Sequence, residues 1–218
     1  MIKYCISSHV SFQSYTLPIL IDSMFSNGIS PQDIHIFSGG FDKFRIHVDH
    51  QGITHHQLTY NCFDLQALIC IAEYNYQISP HWFLLHDTVK LGLQFLDLFK
   101  SVDYIGLNAI PLCRSGSMSM GIYSTNYIRA NADRLLKFKD KLNGLDIIEM
   151  KKEAILSEDM LLKRYYNNGI CDQRQVLDGF HTPYGEIGSL RIIEYYKQLD
   201  LHKFKANWGG DCPVKVEL

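Results

Sequence analysis

Trp82-Phe83-Leu84-Leu85-His86-Asp87-Thr88 runs an unbroken apolar stretch straight into three polar residues. A short continuous apolar run is the pattern of a strand covered on both faces, as in parallel sheets. Ser79-Pro80 breaks the chain just before it. The polar residues then fall at the strand's carboxyl end, where open α/β sheets bind their ligands. Asp87 is therefore a candidate ligand-binding acid. A carboxylate there can hold a hard divalent cation, which can bridge a diphosphate and neutralise charge developing on it. Asp87 can also cap a helix starting near Val89, and the residues alone favour that cap.

Upstream, strand and helix signals alternate. Lys3 to Ser8 reads as a strand, and Leu17 to Phe25 as a helix with Pro18 in its first turn and Gly28 at its C-cap. Asp33 to Phe37 alternates as a strand that stops at Gly39-Gly40. Phe44 to Val48 and Thr54 to Thr59 read as short strands. Asn61 to Tyr74 reads as a helix opened by Asn61 and Asp64 as a capping box. This order predicts a mainly parallel sheet with right-handed crossovers. Ser7-Ser8-His9 then ends the first strand, and it can meet His86-Asp87-Thr88 in space.

Downstream, Leu91 to Phe99 reads as a helix and Asp103 to Leu107 as a strand. Ser115 to Gly121 reads as a surface loop that Gly116 and Gly121 would let bend over a substrate. Helices are expected over Thr125 to Leu142 and Glu158 to Tyr166, and no linker divides the chain. Ser157-Glu158-Asp159 supports two readings. Ser157 can cap a helix whose first turn carries acids suited to its dipole, or one acid can be a general base. His181, between Gly179 and Pro183, can be a metal ligand beside a carboxylate. His47, His50, His55 and His56 lack metal-ligand spacing.

Composition narrows the classes. The 218 residues are 46% hydrophobic and 20% charged, enough for a sizeable core. A formal net charge of -2 gives no uniformly basic surface for nucleic acid. The sequence has no apolar run long enough to span a membrane, and Met1 to Ser8 reads as a strand, not a signal peptide. The six cysteines form no Cys-x-x-Cys pair, which points to a reducing compartment without structural zinc. Gly-x-Gly-x-x-Gly, a Walker Gly-Lys-Ser/Thr and Gly-x-Ser-x-Gly are all missing. Dinucleotide, P-loop and α/β-hydrolase chemistry therefore lose support.

Several segments together resemble a known family. They are Tyr4 to Ser11 with Tyr15 to Ser23, Trp82 to Thr88, Met118 to Tyr123, and Glu194 to Tyr196 with Leu199 to Trp208. They look like GT-A-fold glycosyltransferases, in particular the small domains of chlorella viruses and of bacterial polysaccharide loci. The resemblance implies an α/β, Rossmann-like fold with a mainly parallel central sheet and an aromatic-rich C-terminal subregion. It implies one domain over 1–218, with a nucleotide-sugar-binding half, 1–110, and an acceptor-side and catalytic half, 111–218.

A UDP- or GDP-type sugar donor would lie on Ser7, Ser8, His9, Asp64, His86 and Asp87. Where the family often has Asp-x-Asp, this sequence has His86-Asp87-Thr88, a single acid. Asp87 and His181 would then hold Mn2+ or Mg2+. Asp159 or Glu158 would be the base of an inverting transfer to a carbohydrate acceptor, with Tyr184, Arg191 and Trp208 on the acceptor side or in packing. Retaining transfer and a non-catalytic sugar-binding domain are the alternatives, and a glycoside hydrolase would need two suitably spaced carboxylates. A cytoplasmic protein is expected, in contact with membrane at most peripherally.

Overall fold

Apolar runs that alternate with amphipathic segments build a layered α/β structure here. The computed structural model describes residues 2–114, 120–176 and 189–207, apart from the side chains of 189–193 and 205–207. Strand β1 (Ile2–His9) leads through helix α1 (Gln13–Ser26) to β2 (Ile34–Gly39). Strands β3 (Arg45–Val48) and β4 (Thr54–Gln57) follow, then α2 (Gln66–Glu73) and β5 (His81–His86). Next come β6 (Val89–Leu91), α3 (Phe95–Phe99), β7 (Ala109–Pro111) and β8 (Gly121–Ser124). Helices α4 (Thr125–Ala130), α5 (Ala132–Leu142) and α6 (Ile147–Ser157) precede β9 (Gln175–Val176), β10 (Ser189–Tyr196) and β11 (Leu201–Asn207).

The central sheet has seven strands in the order β3-β4-β2-β1-β5-β8-β7. β4, β2, β1 and β5 run parallel, while β3 and β8 are antiparallel to their neighbours. The mainly parallel α/β architecture expected from the sequence is therefore present. Phe83 and Leu85 of β5 enter the core on one face, and Trp82 and Leu84 enter the core on the other. That two-sided cover is why the run is continuously apolar. A second sheet, β6-β11-β10-β9, joins strand β6 to the strands after residue 174.

Several local expectations change. α1 starts at Gln13, so Pro18 lies inside the helix and removes an N–H there. Gly28 does close it: at φ 75° it donates to Phe25 O, while Ile29 N reaches Met24 O at 3.0 Å, a Schellman motif. Asn61 forms no capping box with Asp64. Its Oδ1 accepts from Phe63 N at 3.0 Å and opens a 3-10 turn over Phe63–Leu65 before α2. Leu91 to Phe99 splits into β6 and the short α3. Asp103 to Leu107 is a loop with Ile105 78% exposed, and the strand is Ala109–Pro111 instead.

The long helix over 125–142 breaks at Asn131. The expected helix over 158–166 is absent. Asp146 caps α6 by accepting from Ile148 N and Glu149 N, so Ser157 is the end of a helix and not its beginning. Residues Lys163–Asn168 form a 3-10 helix. Of the proposed loop over 115–121, residues 115–119 lie outside the described residues. Gly121 serves close packing in β8, because a Cβ there would sit 2.4 Å from Ile110 O.

Candidate functional site

β1 and β5 are parallel neighbours, so their carboxyl ends coincide, with Ser7 opposite His86. Asp87 N extends the ladder by one bond to Ser7 O at 3.2 Å. The Asp87 side chain then turns back under β1 and α1. Its Oδ2 accepts from Ser8 Oγ at 2.6 Å and from Thr16 Oγ1 at 2.7 Å. No helix begins near Val89; β6 starts there. The cap reading therefore fails, and the acid belongs to the crevice. Burial pushes its pKa up to about 6, against the two hydroxyls that favour the carboxylate, and the Asp64 charge adds to the rise. Among the described residues both side-chain donors converge on Oδ2 and none reaches Oδ1.

A cavity of about 160 Å³ opens here, lined by Ser8, His9, Phe12, Asn61, Asp64 and Asp87 among others. Ser7 Oγ donates to Asp64 O at 2.8 Å and so fixes the turn that carries Asp64. His86 Nε2 lies 3.4 Å from Asp64 Oδ2. Burial lowers the His86 pKa to about 4 in spite of Asp64, so a neutral imidazole makes this contact. His9 packs on Gly40, where a Cβ would come within 2.5 Å of its Nε2. Gly39 is equally tight, since its Cβ would meet Tyr60 O at 2.6 Å. The two glycines therefore act as close-packing positions at the end of β2. Gln66 ties the same end together, donating to Phe37 O at 2.6 Å and to Ser8 O.

The small sheet adds a group of charges that the sequence reading missed. Phe204 N donates to Thr88 O at 2.8 Å, which places β11 directly behind Asp87-Thr88. Lys203 is buried and faces Glu194 across the β10–β11 ladder. Glu194 is only 2% exposed and accepts from Arg174 Nη1 at 2.8 Å and from Tyr196 OH at 2.6 Å. Burial lowers the Lys203 pKa, and the carboxylates of Asp64, Glu194 and Glu158 oppose that fall. A usable signal existed: in Leu201-His202-Lys203 the alternation puts Lys203 on the face of buried Leu201.

The two candidate bases part company. Glu158, at the C-cap of α6, acts electrostatically on Lys203 and so belongs to this cluster. Asp159 accepts from Tyr166 OH at 2.7 Å and acts on the buried Tyr123. Their position at a helix C-terminus removes the dipole argument for both. His181, Tyr184 and Trp208 lie outside the described residues. Arg191 sits in β10 opposite Lys205, and its side chain is outside the description.

His35 and His56 form a separate pair. His35 Nδ1 is 3.3 Å from His56 Nε2, and His56 stacks on Phe37 with centroids 4.2 Å apart. Among the described residues, no group of three or more His, Cys, Asp or Glu side chains could hold a metal ion. Asp87 Oδ1 is a hard oxygen donor at the cavity and fits one position in the shell of Mn2+ or Mg2+.

Comparison with known proteins adds a likeness in structure. The chain resembles the crystal structure of the apo form of GlyE from Streptococcus pneumoniae TIGR4, with 14% sequence identity and a TM-score of 0.43. GlyE is a glycosyltransferase. The match covers 76% of this chain and 44% of GlyE, so the chain spans less than half the length of that protein. No protein-family model matches the sequence, and no curated protein matches it significantly. No helix among the described residues is long and apolar enough to cross a membrane.

Proposed function

We propose that the chain is a glycosyltransferase that moves a sugar from a UDP- or GDP-type donor to a carbohydrate acceptor hydroxyl, with inversion. The observation that carries this reading is the clamp of Ser8 and Thr16 on Asp87, which holds a carboxylate at the crevice beyond β1 and β5. Ser7, Ser8, His9 and Asp64 would seat the nucleotide, and His86 would orient Asp64. Glu158 is the base of this mechanism, because it acts on Lys203 in the charge cluster behind Asp87-Thr88, whereas Asp159 acts on Tyr123 and Tyr166. The acceptor hydroxyl gives its proton to Glu158 and attacks the anomeric carbon in line. The bond from that carbon to the diphosphate oxygen breaks, and the electron pair leaves with the nucleoside diphosphate.

Charge balance supports a cation. Asp64, Glu158 and Glu194 act on Lys203, Arg174 pairs with Glu194, and Asp87 feels the charge of Asp64, so an entering diphosphate meets an excess of acid. Mn2+ or Mg2+ held by Asp87 and His181 would neutralise the diphosphate as it leaves. Tyr184 and Arg191 would serve the acceptor side. The protein would work in glycan or polysaccharide synthesis in the cytoplasm.

The test is nucleoside-diphosphate release from a panel of UDP- and GDP-sugars, with and without Mn2+, in wild type and Asp87→Ala. Release that requires Asp87 supports the reading. Donor binding without release from any donor, with acceptors present, would make the chain a sugar-binding domain. A product of unchanged anomeric configuration would overturn inversion.

A further inference from the structure

The central sheet covers one of its edges and leaves the other open. At β7 the chain returns over the edge, where Ile170 N donates to Pro111 O at 3.0 Å and Cys171 N to Leu112 O at 2.9 Å. Among the described residues no strand lies beyond β3. Asp49 N donates to Ile53 O at 3.0 Å and extends the β3–β4 ladder, in which Arg45 faces Gln57 and His47 faces His55. These odd-numbered residues turn their N–H and C=O groups toward β4, so Ile46 and Val48 turn theirs outward. The side chains along that edge are apolar as well. Phe44, Ile46 and Val48 share one face and are 38%, 44% and 63% exposed. Phe44 stacks on exposed Tyr74 with centroids 4.6 Å apart, which carries the strip past the end of α2.

An open edge takes a strand, and this one carries both halves of a match to itself. With two copies of β3 antiparallel about a two-fold axis at His47, Ile46 pairs with the partner's Val48 and Val48 with the partner's Ile46. Both are outward-facing residues, so these pairs form four backbone hydrogen bonds, and their aliphatic side chains meet on one face. In the same register Arg45 stands opposite the partner's Asp49, and the symmetry makes that ion pair twice. Arg45 has no salt bridge among the described residues. Asp49 is held in place by Gln51 N, Ile53 N and His55 Nε2. We propose that β3 is a dimer interface, which pairs antiparallel with β3 of a second copy and continues the central sheet across the two-fold axis. None of these residues lines the cavity at Asp87, so the pairing does not rest on the proposed glycosyl transfer.

Sedimentation equilibrium of the full chain over a range of concentrations tests this. The wild type should dimerise. Ile46→Pro removes an outward N–H and no bond to β4, a position where an edge strand tolerates proline. It should leave a folded monomer, as should Val48→Lys, with circular dichroism to check the fold. Arg45→Gln should weaken dimerisation about tenfold, roughly threefold for each of the two ion pairs. The register has its own test. His47 meets its counterpart at a non-hydrogen-bonded position, with Cα atoms about 4.5 Å apart, within reach of a disulfide. His47→Cys should therefore give a disulfide-linked dimer under mild oxidation, and the wild type should give none. A wild type that stays monomeric overturns the proposal. So does a dimer that persists in both Ile46→Pro and Val48→Lys, or an edge that captures strands of other proteins and never its own copy.

Discussion

Thr16 of α1 donates to Asp87 Oδ2 at 2.7 Å, across 71 residues of sequence. A hydrogen bond to a buried carboxylate contributes about 1.5–3 kcal/mol to holding the charged form. Thr16→Val removes it with little change of shape. The variant should fold and lose about tenfold in donor affinity, as should Ser8→Ala. Calorimetric titration with nucleoside diphosphate checks this, and unchanged affinity in both variants would remove Asp87 from the donor site.

Glu158→Gln and Asp159→Asn should separate cleanly. Loss of a general base costs about 100- to 10,000-fold in turnover. Glu158→Gln should show that loss while donor binding stays intact. Asp159→Asn should keep turnover within a few-fold and lower stability by about 1 kcal/mol through the weakened Tyr166 bond. Turnover and urea midpoints of the two variants decide, and the reverse pattern would exchange the roles.

Arg174 and Glu194 form an ion pair whose carboxylate is buried, the Glu194 side chain being 2% exposed and that of Arg174 20%. Removing one partner of such a pair leaves a buried charge and costs about 3–5 kcal/mol. Arg174→Met should lower the urea unfolding free energy toward that range. Arg174→Met with Glu194→Met should regain part of the loss. A single variant as stable as wild type would show that water reaches Glu194.

His35 and His56 give the protein a dependence on pH. Burial lowers their pKa values from 6.5 to about 3 and about 4, with His56 adding to the fall at His35 and His55 to the fall at His56. The unfolded chain regains ordinary values, so below about pH 6.5 it binds up to two more protons than the folded chain. Stability from this pair is complete above pH 6.5 and is lost as pH falls through about 4. The slope approaches about 2.7 kcal/mol per pH unit. Urea denaturation between pH 7.5 and pH 5 should show it, with a smaller slope in His56→Asn. A midpoint indifferent to pH in this range would mean the imidazoles are solvated.

β5 and the meeting of Ser8 with Asp87 were legible in the sequence because parallel neighbours bring their carboxyl ends together. Thr16 was not, because a hydroxyl within an apolar helix looks like any satisfied side chain until the strand behind it is known. Ser157-Glu158-Asp159 misled because it imitates a helix start, whereas the working cap is Asp146. Lys203 and Glu194 were legible only as alternation within strands. Their pairing depends on the ladder between β10 and β11, which no local pattern specifies.

The pairing of β6 with β11 also bears on synthesis. β6 follows Asp87 directly, but its strand partner begins only at Leu201. During translation Ser8, Thr16 and Asp87 can meet well before Lys203 and Glu194 arrive. Until then β6 offers an open hydrogen-bonding edge. Completion of the charge cluster therefore reports that the ribosome has passed residue 203, and a chain stopped earlier would expose that edge to quality control.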